Sequence, residues 1–136
     1  MITIEKNIDL VSASYGKISL RKEFFDKFYD IFMGSHPDIR PMFAKTDFLK
    51  QKKLLKNGLS YMILFAKDMH TGKTAVENIA RIHDKENVNV PPELYPYWID
   101  SLIKTIKLFD TEFTEETEAA WREIMGKGIN KFIEMY

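Results

Sequence analysis

Apolar positions recur at helical spacing along most of the chain, and strand-like alternation is scarce. The clearest stripe lies near the C-terminal end, where Ala120/Trp121, Ile124/Met125, Gly128/Ile129, Phe132/Ile133 and Tyr136 fall on one face. Thr114 followed by Glu115, Glu116 and Glu118 offers that helix an N-cap and an acidic first turn to match its dipole. Ile99, Leu102, Ile103, Ile106 and Phe109 repeat the pattern just upstream, after the start signal Pro91-Pro92, with Pro96 sharpening or bending the first turn. Leu20, Phe24, Phe25, Phe28, Ile31 and Phe32 make a broad aromatic face on a helix expected to end near Gly34-Ser35. Pro37 then opens a short helical turn toward Phe43. Thr46 and Asp47 can cap a long helix bearing Phe48, Leu55, Leu59, Met62 and Ile63. The capping box Thr74-Ala75-Val76-Glu77 starts a short helix through His83, and residues 4–16 form a weaker first helix. The pattern predicts an all-α chain of six or seven unequal helices with one short turn after Pro37.

Composition narrows the class without naming a function. The 136 residues suit one domain, 1–136, with no length for a second catalytic module, and no repeat or linker-like tract divides them. Twenty basic and twenty acidic side chains cancel, so no net field draws nucleic acid or anionic lipid. Cysteine is absent, which removes disulfides, thiolate catalysis, iron–sulfur clusters and cysteine zinc sites. Residues 1–10 carry charges and no long apolar run, unlike a signal peptide, and the longest apolar stretch, 61–66, is too short to span a bilayer. A soluble cytoplasmic protein without membrane or nucleic-acid partners is expected.

Three side chains invite chemistry. His83 shares a helix face with Val76, Ile79 and Ala80, where a histidine is either a satisfied core residue or a metal ligand. No His, Asp or Glu at i+3 or i+4 completes a zinc or di-iron motif with it, so a metal held there needs its other ligands from a cofactor. Haem iron, for which one protein imidazole suffices, meets that condition. Tyr29 lies on the aromatic face with Phe25 and Phe32, as a core tyrosine would. Gln51 sits on the inner stripe between Phe48 and Leu55 and reads as a boundary residue or a ligand contact. His36 and His70 fall in segments read as exposed loops, the latter between Lys67 and Lys73. Lys50, Lys52, Lys53 and Lys56 read as a solvated helix face, with Lys50 or Lys53 within reach of a haem propionate.

Taken together these residues resemble a family. Phe28-Tyr29-Asp30-Ile31-Phe32 and His36-Pro37-Asp38-Ile39-Arg40-Pro41-Met42-Phe43 resemble the bacterial single-domain haemoglobins and the globin half of flavohaemoglobins. Leu49 to Leu55, with Gln51 four residues before Leu55, resembles their distal helix. Ile79-Ala80-Arg81-Ile82-His83, then Pro92-Glu93-Leu94-Tyr95, resembles the proximal segment, and Ala120-Trp121 the last helix. The resemblance implies a globin fold of six to eight helices around a pocket for haem b (iron protoporphyrin IX). It also implies His83 as the proximal iron ligand, Phe43 stacked on the haem face, and Leu55 and Tyr95 in the pocket. Tyr29 and Gln51 would lie on the distal side and donate hydrogen bonds to dioxygen. Dioxygen accumulates negative charge there and carbon monoxide little, so the pair implies tight oxygen binding with slow release.

Some positions depart from the family pattern. The stretch from His83 to Tyr95 is two residues longer than in flavohaemoglobins, so the turn after the proximal helix is expected to bulge. A glutamate that acts with the tyrosine on the proximal histidine has its nearest counterpart in Glu134, two positions early when counted from Trp121. Lys56 stands where the family is usually apolar and Leu54 where it is usually charged, which leaves open a one-residue shift bringing Lys50 inward. Reversible oxygen binding for transport, storage or sensing is the first expectation. Nitric oxide dioxygenation, needing an external reductase, and a haem-free globin-like interaction or sensor domain are the alternatives.

Overall fold

In a computed structural model that describes residues 3–136, the backbone forms seven α-helices and one 3-10 turn, with no strand among the described residues. Thr3 caps α1 (Ile4–Ile18) by accepting the Lys6 N–H at 3.2 Å. After a tight turn come α2 (Lys22–Met33) and the four-residue α3 (Ile39–Met42). Asp47 caps α4 (Phe48–Ala66), its carboxylate accepting from the Leu49 and Lys50 amides. α5 (His70–His83) follows at once. The 3-10 turn Pro92–Leu94 leads into α6 (Tyr95–Phe109), with Pro96 in its first turn, where a missing N–H costs nothing. The Thr114 hydroxyl accepts from Thr117 N–H at 3.2 Å to start α7 (Glu115–Glu134). No described helix is long and apolar enough to cross a membrane.

α1 packs on α7, α2 on α6, and α4 on both α5 and α7. Trp121, Phe24, Phe28, Leu59, Leu102, Ile106, Ile124 and Met125 are fully buried where they meet. Each such side chain is worth roughly 1.5–3 kcal/mol relative to exposure. A buried polar anchor ties α1, the end of α6 and α7 together. Trp121 Nε1 donates to Ser14 Oγ at 3.0 Å, and Ser14 donates to the Asp110 carboxylate at 2.7 Å. Lys17 lies 3.4 Å from the same carboxylate, at the surface end of the chain of contacts.

Two expectations are corrected. Leu20 does not join the aromatic face: the amides of Ser19 and Arg21 turn back onto Tyr15 and Ile18, and Leu20 projects outward, 85% exposed, before α2 begins. The helix that ends at His83 is not short. It begins at His70 rather than Thr74, so His70 lies in its first turn, still exposed, and not in a loop. Asp68 takes a left-handed conformation, φ 61°, and reverses the chain so sharply that α5 starts against the end of α4. Gly72 permits that approach, because a Cβ there would lie 2.3 Å from Phe65 N and 2.5 Å from the Leu64 carbonyl carbon. With the upstream residues already helical, the Thr74–Glu77 capping box is overridden.

Gly72→Ala should therefore destabilise the fold by about 1–3 kcal/mol, the usual cost of overpacking against backbone that cannot yield. Gly16→Ala, whose Cβ would meet nothing within 4 Å, should be neutral or stabilising by up to ~1 kcal/mol. Chemical denaturation of both variants separates the two outcomes.

Candidate functional site

Tyr29 sits in the middle of α2, where helical spacing turns it inward with Phe25, Phe28 and Phe32; only 4% of it is exposed. Its ring lies edge-on to Phe43 (5.7 Å between centroids) and to Phe48 (5.5 Å). Phe43, half-buried at the end of α3, also meets Phe32 edge-on at 6.0 Å. Gln51 is placed by the cap of α4, its backbone N–H bonded to the Asp47 carbonyl at 2.9 Å. From there its side-chain Nε2 donates to the Tyr29 hydroxyl oxygen at 3.1 Å. Lys50 on one side is exposed, and Lys52 on the other pairs with Asp26 at 2.7 Å, so Gln51 rather than Lys50 faces Tyr29. Leu55, one turn further along α4, is buried, while Leu54 and Lys56 are exposed.

Burial pushes the Tyr29 phenol up to about 12, against the opposing hydrogen bond from Gln51. At neutral pH the phenol keeps its proton. Since its oxygen already accepts from Gln51, that proton is the group free to be donated to a third partner.

His83 is the last residue of α5. Its Nδ1 lies 2.7 Å from the carbonyl oxygen of Ile79, one turn back on the same helix. A carbonyl can only accept, so Nδ1 carries the hydrogen and Nε2 is left with an unshared pair. Burial lowers the imidazole pKa, partly offset by that backbone bond, and holds the neutral form. The ring stacks on Phe132, 5.8 Å between centroids and 10° between planes. Tyr95 lies against Phe132 at 5.8 Å and 34°. Burial and the neighbouring Tyr136 push the Tyr95 phenol up to about 12.

The expected bulge after His83 is folded back on α5. Val88 and Val90 donate backbone bonds to the carbonyls of Ile82 and His83, closing the helix end. Asn89 adopts φ 57°, and its side-chain oxygen accepts from the Tyr136 hydroxyl at 2.5 Å. Glu134 does not reach this group: it is exposed and pairs with Lys131 at 3.4 Å. Phe132 and Tyr136 were legible only as parts of an apolar stripe, since contact with the histidine helix is tertiary.

The candidate residues thus form two clusters, Tyr29/Gln51/Phe43 and His83/Phe132/Tyr95. No hydrogen bond or ring contact joins them among the described residues. His36 lies outside both and is not exposed as expected. It is half-buried, its ring 4.8 Å from that of Tyr97 beside a small cleft of about 140 Å³. Among the described residues no group of three or more His, Asp or Glu side chains could hold a metal ion.

Packed helices that hold one imidazole at the end of a helix, with Nε2 free, define an all-α domain with a single candidate ligand side chain on that helix end. The solved structure of a Pseudomonas aeruginosa PAO1 protein, described as structurally highly homologous to a human hemoglobin, superposes with a TM-score of 0.90 at 35% identity. The match covers 96% of this chain and 98% of that one. The Globin family model matches residues 26–132, a span that includes Tyr29, Phe43, Gln51, Leu55, His83, Tyr95 and Phe132. The chain belongs to the globin family. No curated protein matches it.

The lowered His83 pKa fixes the sign of a pH effect on the cofactor-free chain. Above the unfolded value of about 6.5 the imidazole is neutral in both states and contributes no difference. As pH falls below about 6.5 toward the lower native value, the unfolded chain takes up a proton that the native site resists, and stability drops until the native imidazole protonates too. Urea midpoints should fall between about pH 7.5 and about pH 5, and His83→Leu should shrink that fall.

Proposed function

We propose that this globin, acting as one domain over residues 1–136, holds haem b through His83 and binds dioxygen reversibly, with Tyr29 and Gln51 stabilising the gas. The donor set fits the cofactor: Nδ1–H is committed to the Ile79 carbonyl, which leaves Nε2 as the free lone pair that an iron requires. Haem b, when bound, supplies a ferrous iron able to take dioxygen, with carbon monoxide and nitric oxide as competing gases. Phe43 offers an aromatic face for the macrocycle, and the buried Leu55 and Tyr95 supply apolar walls.

The observation that carries this reading is the direction of the Tyr29–Gln51 hydrogen bond. Gln51 donates and the tyrosine oxygen accepts, so the phenolic proton is free for a further acceptor. Dioxygen draws negative charge onto itself and rewards such a donor; carbon monoxide draws little. A hydrogen bond to a charged acceptor is worth roughly 1.5–3 kcal/mol. Gln51 supports the donor by polarising the phenol and by holding its ring angle, a neutral bond worth about 0.5–1.5 kcal/mol.

Stopped-flow measurement of dioxygen release from the reduced, haem-loaded protein tests the proposal. Tyr29→Phe should speed release about 10–100-fold, at ~1.4 kcal/mol per decade, with carbon monoxide release nearly unchanged. Gln51→Leu should speed it by about tenfold or less. Release from Tyr29→Phe no faster than from the parent would refute the distal role.

A further inference from the structure

Resting on the proposal that His83 holds haem iron, we infer that Phe132 is the positioning residue for the His83 imidazole and fixes its rotation about the bond to the metal. An imidazole ligated through Nε2 has one soft coordinate left, the turn of its plane about that bond. The Ile79 carbonyl restrains it from one side only. A single hydrogen bond of 2.7 Å sets where Nδ1–H points but tolerates tens of degrees of ring roll. Phe132 restrains the plane itself, because its ring lies parallel to the imidazole within 10° at 5.8 Å, and rolling the histidine would drive an edge into that face.

Phe132 is in turn unable to swing away. It is buried on α7, and Tyr95 at the start of α6 closes on its ring at 5.8 Å. The imidazole, the phenyl and the phenol therefore form a stack built from three helices, α5, α7 and α6. This stack stands where the family resemblance placed a tyrosine–glutamate pair acting on the histidine. Glu134 turns to Lys131 instead, and no carboxylate forms an ion pair or hydrogen bond with His83 among the described residues. The restraint on the imidazole is accordingly one of shape, supplied by a ring without charge or proton.

The plane of an axial imidazole selects which iron orbitals overlap its π system, and that choice is visible without any turnover. In the ferric, cyanide-ligated protein it sets the order of the four haem-methyl proton resonances, which are shifted by the unpaired electron. The parent should show an order corresponding to a single imidazole plane, with cross-relaxation between the His83 and Phe132 rings. Phe132→Leu should reorder the methyl resonances, and Phe132→Tyr, which keeps the ring, should restore the parent order. The inference is overturned if Phe132→Leu keeps the parent order. It is also overturned if the parent itself shows no contact between the two rings, a result that does not depend on the variant folding. A chain that develops no Soret band with hemin would instead remove the haem reading and this inference with it.

Discussion

The bond from His83 Nδ1–H to the Ile79 carbonyl is the constraint on which the candidate site depends. It joins the imidazole to its own helix, so the position of the lone pair on Nε2 is decided by where α5 lies and where it stops. Both are tightly set. Gly72 lets the first turn of α5 press against Phe65 and Leu64 at the end of α4. At the other end, Val88 and Val90 take up the carbonyls of Ile82 and His83, so the residues after the histidine cannot extend the helix. The half-buried imidazole thus keeps Nδ1 paired and Nε2 free, and Nε2 is the lone pair that the proposed haem iron would use.

The second cluster obeys a different logic, one of proton ownership. Tyr29 is buried deeply enough that ionisation is unfavourable at neutral pH, and its oxygen is already an acceptor. What remains is a donor with a fixed origin on α2. Its direction is backed by an amide whose placement begins at the Asp47 cap of α4. Loss of that cap would therefore be felt at Tyr29, two contacts away, even though Asp47 itself is exposed. The aromatic contacts of Phe43 with Tyr29 and Phe32 tie this donor to the short α3 as well.

Much of this was readable in the chain. The caps at Asp47 and Thr114, the stop at Gly34 and the start after Pro91-Pro92 are local signals, and local hydrogen bonding realises them. Gln51 was legible because its spacing to Leu55 matches one turn of helix; Lys52 pairing with Asp26 then fixes the register that sequence left open. The failures are tertiary. Leu20 looked like a face residue because periodicity cannot see a turn made by neighbouring amides. The start of α5 moved because a capping box carries little weight once Gly72 lets earlier residues pack as helix. His36 looked exposed because its partial burial comes from Tyr97, 61 positions away in the chain. Phe132 was indistinguishable from any other core phenylalanine, since only the crossing of α7 with α5 places it on the imidazole.

The most direct test of the central claim is the iron–imidazole stretching band in the resonance Raman spectrum of the ferrous protein after hemin loading and reduction. The band should be present in the parent, absent from His83→Gly, and restored at a shifted frequency when free imidazole is added to that variant. A band that survives His83→Gly unchanged, or a chain that takes up no hemin at all, would contradict the assignment of His83 as the iron ligand.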